Sequence, residues 1–420
     1  MRIAFLVGQF PAISETFVLN QVTGLIDRGH EIDIYATAPG DGDVVHGEVA
    51  KYGLLGRTLY HSTDARDGPV QKAVCLIQNR RRIGNLLRKR PGLLFTAPRL
   101  ALSPMLWRKS QLMNGSRRNY DVIQCHFGPN GRLAVLLREL DIVRGPIVTA
   151  FHGWDLSLYL RRHGASVYRR LFQCGDLFLP ISACWQSKLI ELGCPRQKIL
   201  VHRMGIELQR YACAERSLRP NGAIKIVTIG RLVEKKGIGY GIQAVSQLVR
   251  RWPQIEYRII GDGRLKDKLQ GLIRDLGVAE QVKLLGWKSR EEIRGLLQES
   301  DILLAPSVTS DDGDEEGIPV VLMEAAAYGR PVVSTRHSGI SEAVRDGESG
   351  YLVPERDARA LAEKLAYLVE HPNTRAAMGA AGRKQVETHY DIRKLNEQLE
   401  RIYEGLKLAI PAGRAKAELY

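Results

Sequence analysis

Short apolar runs alternate with amphipathic stretches along most of the chain, and the alternation is traversed twice. Residues 2–7 form an apolar run of strand length. Residues 15–28 carry Phe17, Val18, Val22, Leu25 and Ile26 on the spacing of one helical face, and Gly29 closes that stretch before a second strand at 31–35. This is one strand–helix–strand unit, with a loop at 8–14 leaving the carboxyl end of its first strand. The pattern predicts further strands at 122–125, 147–150, 177–180 and 199–202. It pauses over 207–222, where Arg219-Pro220-Asn221-Gly222 has the chemistry of a linker. A second series runs through 224–229, 257–260, 282–285, 302–305 and 332–335, and residues 357–408 keep helical Ala and Leu spacing without a strand. Strands separated by helices pair in parallel. The predicted fold class is therefore α/β, with two doubly wound Rossmann-like domains, residues 1–206 and 207–391. Ligands of such sheets bind beyond the carboxyl ends of the strands, so facing domains would enclose a cleft.

Hydrophobic residues make up 44% of the 420 and charged residues 25%, enough for each half to bury a core without staples. That excludes disordered, collagenous and coiled-coil classes. The six cysteines (Cys75, Cys125, Cys174, Cys184, Cys194 and Cys213) include no C-x-x-C pair, which argues against a zinc ribbon or thioredoxin-like site. Cys174, Cys184 and Cys194, although evenly spaced, read as buried small hydrophobes in a reduced cytosol. The apolar run at 3–7 is shorter than the roughly 7–15 residues of a signal-peptide core. No stretch reaches the roughly 18 apolar residues of a membrane span, so the expected location is the cytoplasm.

The formal net charge is +15, and it is unevenly placed. Between Arg66 and Arg118 stand thirteen Lys or Arg and one acid, Asp67, so most of the excess lies in this segment. The same segment carries Leu86, Leu87, Leu93, Leu94, Phe95, Leu106 and Trp107. Two readings stay open. One is a solvated basic helical hairpin packed on its domain. The other is a peripheral membrane face, with apolar side chains entering the interface and Lys/Arg meeting anionic lipid. Nucleic acid is not an expected partner, because no helix-turn-helix, zinc-finger or RNA-binding aromatic pattern accompanies the charge.

Three stretches carry candidate chemistry. The first is Glu315-Glu316-Gly317-Ile318-Pro319-Val320-Val321-Leu322-Met323-Glu324. Pro319 suits the first position of a helix, and Gly329 with Pro331 ends it. Glu316 then lies in the loop before a helix N-terminus, an end rich in free N–H groups and suited to anions, and Glu324 lies inside the helix. Eight helical residues would rise roughly 12 Å, too far for the pair of carboxylates about 5–5.5 Å apart that a retaining glycosidase uses. The two acids therefore read as anchors for different parts of one elongated ligand. The second stretch is Gly230-Arg231-Leu232-Val233-Glu234-Lys235-Lys236-Gly237, leaving a strand and opening a helix. Arg231 and Lys236 there could clamp a diphosphate, although the spacing matches neither a Walker A loop nor G-x-G-x-x-G. The third is Phe151-His152-Gly153-Trp154-Asp155, on the cleft rim after a strand, with His126-Phe127-Gly128 placed similarly after its neighbour. The acidic turns Asp312-Gly313-Asp314, Asp41-Gly42-Asp43 and Asp262-Gly263 look like D-x-D metal signals, but such triplets are common in turns, and no metal is expected.

With these segments in view, the chain resembles the retaining nucleotide-sugar glycosyltransferases of family 4, which have the GT-B fold. The resemblance covers nearly the whole chain. It rests on Glu316 and Glu324 as the family's E-x7-E motif, followed by His337-Ser338-Gly339-Ile340, and on Gly230-Arg231-Leu232, Lys236-Gly237, Gly261-Asp262-Gly263 and Gly286-Trp287 in order. Phe10-Pro11, Ser14-Glu15-Thr16-Phe17 and the segment around His152 are similar to the bacterial exopolysaccharide branch that includes colanic acid transferases. The resemblance implies roles. Arg231 and Lys236 would bind the donor diphosphate, Glu316 would hold sugar hydroxyls, and Glu324 would hold the ribose. Residues Gly317, Ile318, Pro319, Val320 and Val321 would lie along the phosphates, and Gly286, Trp287 and Lys288 would flank the base. His152 would lie near the donor sugar, with Gly8, Gln9, Ser14, His126 and Asp155 on the acceptor side. A helix at 392–410 would cross back onto the first domain. Glu207 departs from the family's usual Asp, and a local effect is expected.

The function implied is transfer of a hexose, with retention, from a UDP- or GDP-sugar to a growing, lipid-linked exopolysaccharide repeat unit. An undecaprenyl-diphosphate-linked oligosaccharide would be the acceptor, and the protein would sit peripherally at the inner face of the plasma membrane. No cofactor beyond the donor substrate is expected. The alternatives are a transferase with a soluble acceptor and a non-catalytic two-domain binder of nucleotides or sugars.

Overall fold

The computed structural model describes residues 1–12, 15–40, 47–60, 119–212 and 223–417, with side chains through residue 408. The basic segment 66–118, Ser14, Cys75, Cys213 and the Asp41-Gly42-Asp43 turn lie outside the described residues.

Two six-stranded, all-parallel sheets make up the molecule. The first joins β1 (Arg2–Phe10), β2 (Glu31–Pro39), β3 (Thr58–Tyr60), β4 (Val122–His126), β5 (Ile147–Phe151) and β6 (Leu177–Pro180) in the order β3-β2-β1-β4-β5-β6. The second joins β7 (Lys225–Ile229), β8 (Glu256–Ile260), β9 (Val282–Leu284), β10 (Ile302–Ala305), β11 (Val332–Thr335) and β12 (Gly350–Val353) in the order β12-β11-β10-β7-β8-β9. Read from β9, the second sheet repeats the topology of the first. Both are doubly wound, and the molecule has the GT-B architecture. In the register, Ile3 sits between Ile32 and Val122. Strands covered on both faces must be apolar throughout, and Ile3, Ala4, Phe5, Leu6 and Val7 are all buried.

The strand order reverses between β1 and β4 in one sheet and between β7 and β10 in the other. These are the switch points beyond which ligands bind. The loops that leave β1, β4 and β5 and those that leave β7 and β10 carry the candidate site.

Several elements differ from the sequence reading. Strand β1 runs on through Phe10, so Gly8 and Gln9 lie in the strand and not in the loop after it. Residues 199–202 are extended but form no strand: Ile199 makes one isolated bridge to Phe178, at the far edge of β6. The short strands β3 and β12 were not anticipated. Pro319 is the N-cap of a helix running Val320–Ala327, not its first residue. Only the second half of the Glu316-to-Glu324 interval is helical, so the helical-rise argument does not apply to the whole of it. Among the cysteines, Cys125 and Cys194 are buried, but Cys184 is exposed and Cys174 half-buried; all four are free thiols.

The chain passes between the sheets twice, and the passages are tied together. Ile206 N–H donates to Tyr390 O at 2.9 Å, and Ile392 N–H donates to Ile206 O at 3.1 Å. The final helix, Ile392–Ala417, then lies on helix α1 (Thr16–Asp27) of the first domain. Leu399 and Tyr403 enter that domain's core, where the Tyr403 hydroxyl donates to Gln124 Oε1 at 2.8 Å. No helix among the described residues is long and apolar enough to cross a membrane.

Candidate active site

A cleft of about 1140 Å³ opens between the carboxyl ends of the two sheets. Gly8, Gln9 and His152 line it from the first domain. Arg231, Lys236, Trp287, Lys288, Glu316, Gly317, Ile318, Pro319, Val320, Val321 and Glu324 line it from the second. Residues far apart in sequence thus meet at one place.

The second-domain wall is cationic and anchored. The turn after β7 presents Arg231 and Lys236, and the stem of Lys236 lies across Gly230, where an added Cβ would come within 3.1 Å of Lys236 Cε. Lys236 Nζ pairs with Glu316 Oε1 at 3.2 Å, and Lys235 Nζ stands 3.9 Å from the same oxygen while pairing with Asp314 Oδ2 at 2.9 Å. Burial acts to raise the Glu316 carboxyl, but the two ammoniums, Lys236 first, outweigh it and hold it below the usual range. Glu316 N–H donates to His337 Nε2 at 3.0 Å, and His337 Nδ1 is 2.6 Å from Glu355 Oε1. The imidazole that accepts at Nε2 therefore carries its proton on Nδ1. The D-x-D-like acids are engaged within the loop, Asp312 with the Ser310 hydroxyl at 2.5 Å and Asp314 with Lys235.

The helix Val320–Ala327 begins with no side-chain cap, so its positive end is left to a ligand. One turn in, Glu324 Oε1 accepts from the Tyr211 hydroxyl at 2.9 Å. Burial raises the Glu324 carboxyl, while Tyr211, Arg290 and Arg294 pull it back. Gly286 does not line the cleft. Its carbonyl accepts the Gly261 N–H at 2.9 Å and sets out Trp287, which is 49% exposed.

On the first-domain wall, His126 and Asp155 stand behind the surface; neither meets the cleft as an acceptor ligand would. His126 Nδ1 lies 3.0 Å from His152 Nε2, with the rings stacked. Burial first, and the nearby His202 second, push His126 down to about 3, and burial also lowers His152. Burial thus favours the neutral form of both imidazoles. Asp155 is fully buried and accepts from the N–H groups of His152 (3.0 Å), Gly153 (3.0 Å) and Gly128 (2.9 Å). It bolts the His152 turn to the start of the helix Gly128–Glu139. Glu207 pairs with Arg210 at 2.6 Å, and Arg210, which also pairs with Glu48, lines the cleft.

Sequence reasoning passed over Lys235, Tyr211, Arg290, Arg294 and His337 as working residues. Two adjacent lysines give no sign of which turns inward, and Tyr211 meets Glu324 only through the fold. His337 had one signal, its place in the segment after the E-x7-E motif.

Comparison with known proteins agrees with this geometry. Residues 14–210 match the profile of the family described as Glycosyltransferase Family 4, and residues 213–385 that of Glycosyl transferases group 1. The amylovoran biosynthesis glycosyltransferase AmsK of Erwinia amylovora is 41% identical, over 96% of this chain and 100% of its own. WcaL of Escherichia coli (strain K12), which carries the provisional name of colanic acid biosynthesis glycosyltransferase, is 39% identical over 97% of this chain and 100% of its own. Among solved structures, Anabaena Alr3699/HepE in complex with UDP superposes with a TM-score of 0.72 at 19% identity, covering 96% of this chain and 100% of that one. Full-length similarity at this level, on this fold, shows that the chain belongs to the family 4 glycosyltransferases.

Proposed function

We propose that this transferase moves a hexose, with retention, from a UDP- or GDP-sugar to a growing lipid-linked exopolysaccharide repeat unit. The observation that carries the reading is the convergence of Arg231, Lys236 and Glu316 beside the uncapped start of the helix Val320–Ala327, across the cleft from His152. The names of AmsK and WcaL support the exopolysaccharide, and the UDP bound by HepE supports a nucleotide donor.

The chemistry follows from charge. Breaking the bond between sugar C1 and the diphosphate oxygen leaves its electron pair on the diphosphate. Arg231, Lys236 and the helix N-terminus offer fixed positive potential there, worth most where water is excluded. Glu316, engaged by two ammoniums, is assigned to sugar hydroxyls and not to attack at C1. Glu324 and Tyr211 are assigned to the ribose. Without a nucleophilic carboxylate, the acceptor oxygen enters on the face the diphosphate leaves, through an oxocarbenium-like state, and its proton passes to the departing phosphate. Arg231 and Lys236 supply the charge that a metal would otherwise bring. The same reading keeps the protein at the inner face of the plasma membrane through segment 66–118.

A panel of UDP- and GDP-sugars, read by nucleotide release and thermal shift, tests the reading. One donor should be turned over, with Glu316→Ala and Lys236→Ala slower by about 100-fold, as expected when a preorganised charge contact is removed. Nucleotide binding without turnover, unaffected in rate by Glu316→Ala, would favour a non-catalytic binder. A trapped covalent glycosyl–enzyme adduct would contradict the mechanism. Co-sedimentation with anionic liposomes should weaken when Arg80, Arg81 and Arg82 are neutralised; no lipid dependence removes the membrane part.

A further inference from the structure

We propose that Glu15 and Trp154 are the residues that select an acceptor pyranose on the first-domain wall of the cleft, Glu15 by taking hydrogen bonds from sugar hydroxyls and Trp154 by providing the apolar platform. The proposal rests on the transferase reading and names what binds opposite the phosphate clamp.

Among the described residues, Glu15 is not held through its side chain by its own helix. It is the N-cap residue of helix α1, yet its side chain makes no cap hydrogen bond, where an acid at that position would ordinarily turn back onto the first N–H groups. Glu15 lines the cleft, and its Oε2 is buried with no hydrogen-bond partner among the described residues. Burial is the one cause that lifts this carboxyl, to about 7. A buried carboxylate without a partner is costly, and sugar hydroxyls entering the cleft would satisfy it.

From Glu15 a row of rings runs along the same wall. Phe17, two residues on, lies 6.4 Å from Phe127; Phe127 lies 6.3 Å from Trp154; Trp154 lies 5.4 Å from Tyr159. All four line the cleft. Trp154 is 38% exposed, and Tyr159 is held in place by Arg132, whose Nη1 donates to its hydroxyl at 2.9 Å. A pyranose has an apolar face of C–H groups and a rim of hydroxyl donors. An indole beside a carboxyl group that can take those hydrogen bonds complements both. The wall stands opposite Arg231, Lys236 and Glu316, where the acceptor of a transferred sugar must approach.

The test uses the nucleotide sugar that the panel identifies, at saturation, with octyl β-D-glucoside, octyl β-D-galactoside and octyl α-D-mannoside as acceptor probes. Glu15→Gln and Trp154→Ala should each raise the acceptor KM about tenfold or more, with kcat much less affected, and Trp154→Phe should recover most of the loss. Unchanged UDP or GDP affinity shows that the variants are folded. Wild-type acceptor KM in both variants would overturn the subsite. A fall in kcat at unchanged KM would overturn the binding role and place Glu15 in the chemical step. A wild-type enzyme that hydrolyses its donor but transfers to none of the glycosides would overturn the pyranose assignment alone. One that turns over no donor would overturn the transferase reading, and the subsite with it.

Discussion

Three backbone N–H groups converge on the Asp155 carboxylate in a fully buried position, and this fixes where His152 stands. Asp155→Ala would strand those groups, each at roughly 1–3 kcal/mol. We expect a stability loss of about 3 kcal/mol or more in urea unfolding, together with slower turnover in the folded fraction, since the His152 turn is no longer held. A variant as stable as wild type would show that the loop closes without its bolt. His202 gives a residue-level test with a pH signature. Burial, with Arg203 beside it, holds it down to about 4, whereas the imidazole of an unfolded chain titrates near 6.5. Between those values the unfolded chain binds a proton that the native state refuses, so this contribution to stability is lost as pH falls. His202→Gln should flatten the stability profile between about pH 6.5 and 4 by up to ~1 kcal/mol per pH unit. Parallel urea midpoints for the two proteins across that window would show that His202 is not held neutral.

Glu316 is only as well placed as the loop that carries it, and that loop is held by a strut from β11 and β12. Glu355 accepts from Thr309 N–H at 2.8 Å and faces His337 Nδ1 at 2.6 Å, while His337 Nε2 takes the Glu316 N–H. One carboxylate thus ties both ends of the loop. His337→Phe keeps the bulk and removes the acceptor. It should lower kcat about tenfold or more while nucleotide affinity changes less than about threefold, because a displaced Glu316 affects the transition state more than donor docking. Equal losses in both would mean the strut supports the fold and not the site. These elements also show what a sequence exposes. Residues 177–180 and 199–202 both begin with three apolar side chains, yet one is a strand while the other lies along its edge with a single bridge. An apolar run this short fixes neither pairing nor burial, since Leu200 stands exposed. The E-x7-E motif was legible because Pro319 and Gly329 bracket the helix that carries its second acid. The partners of its two acids were not, because Tyr211 lies 113 residues from Glu324 and no local pattern spans that distance. Glu15 stood in a recognised segment, but its lack of a partner is a property of the packed wall and of no residue near it in sequence.

The two domains meet over the cleft at a pair of glycines. An added Cβ on Gly317 would lie 2.1 Å from His152 O, and one on Gly153 would lie 2.9 Å from Gly317 N. The turn bearing His152 and the loop bearing Glu316 therefore touch backbone to backbone. Around them, Glu315 N–H donates to Ser157 Oγ at 3.3 Å, Arg161 donates to Asp311 O at 2.9 Å, and Cys184 N–H donates to Glu342 Oε1 at 3.1 Å. Helix Ile392–Ala417, which follows the second domain, seats Leu399 and Tyr403 in the first-domain core. This arrangement brings His152 against the loop that bears Glu316, while Arg231, Lys236 and Glu324 all stand on the second domain. Closure and nucleotide binding are thus separable. Gly317→Ala, at a position free of left-handed backbone strain, forbids only the approach, since the methyl would sit more than about 1 Å inside contact distance with a carbonyl oxygen. UDP or GDP affinity should stay within about threefold, while turnover should fall about 100-fold, the effect of a misplacement of about 1 Å. The radius of gyration from solution scattering with nucleotide bound should rise. Gly295→Ala, where a Cβ meets nothing within 4 Å, serves as the control and should match wild type in all three. Full turnover by Gly317→Ala would mean that catalysis proceeds with the domains further apart than they stand here, and that His152 takes no part in it.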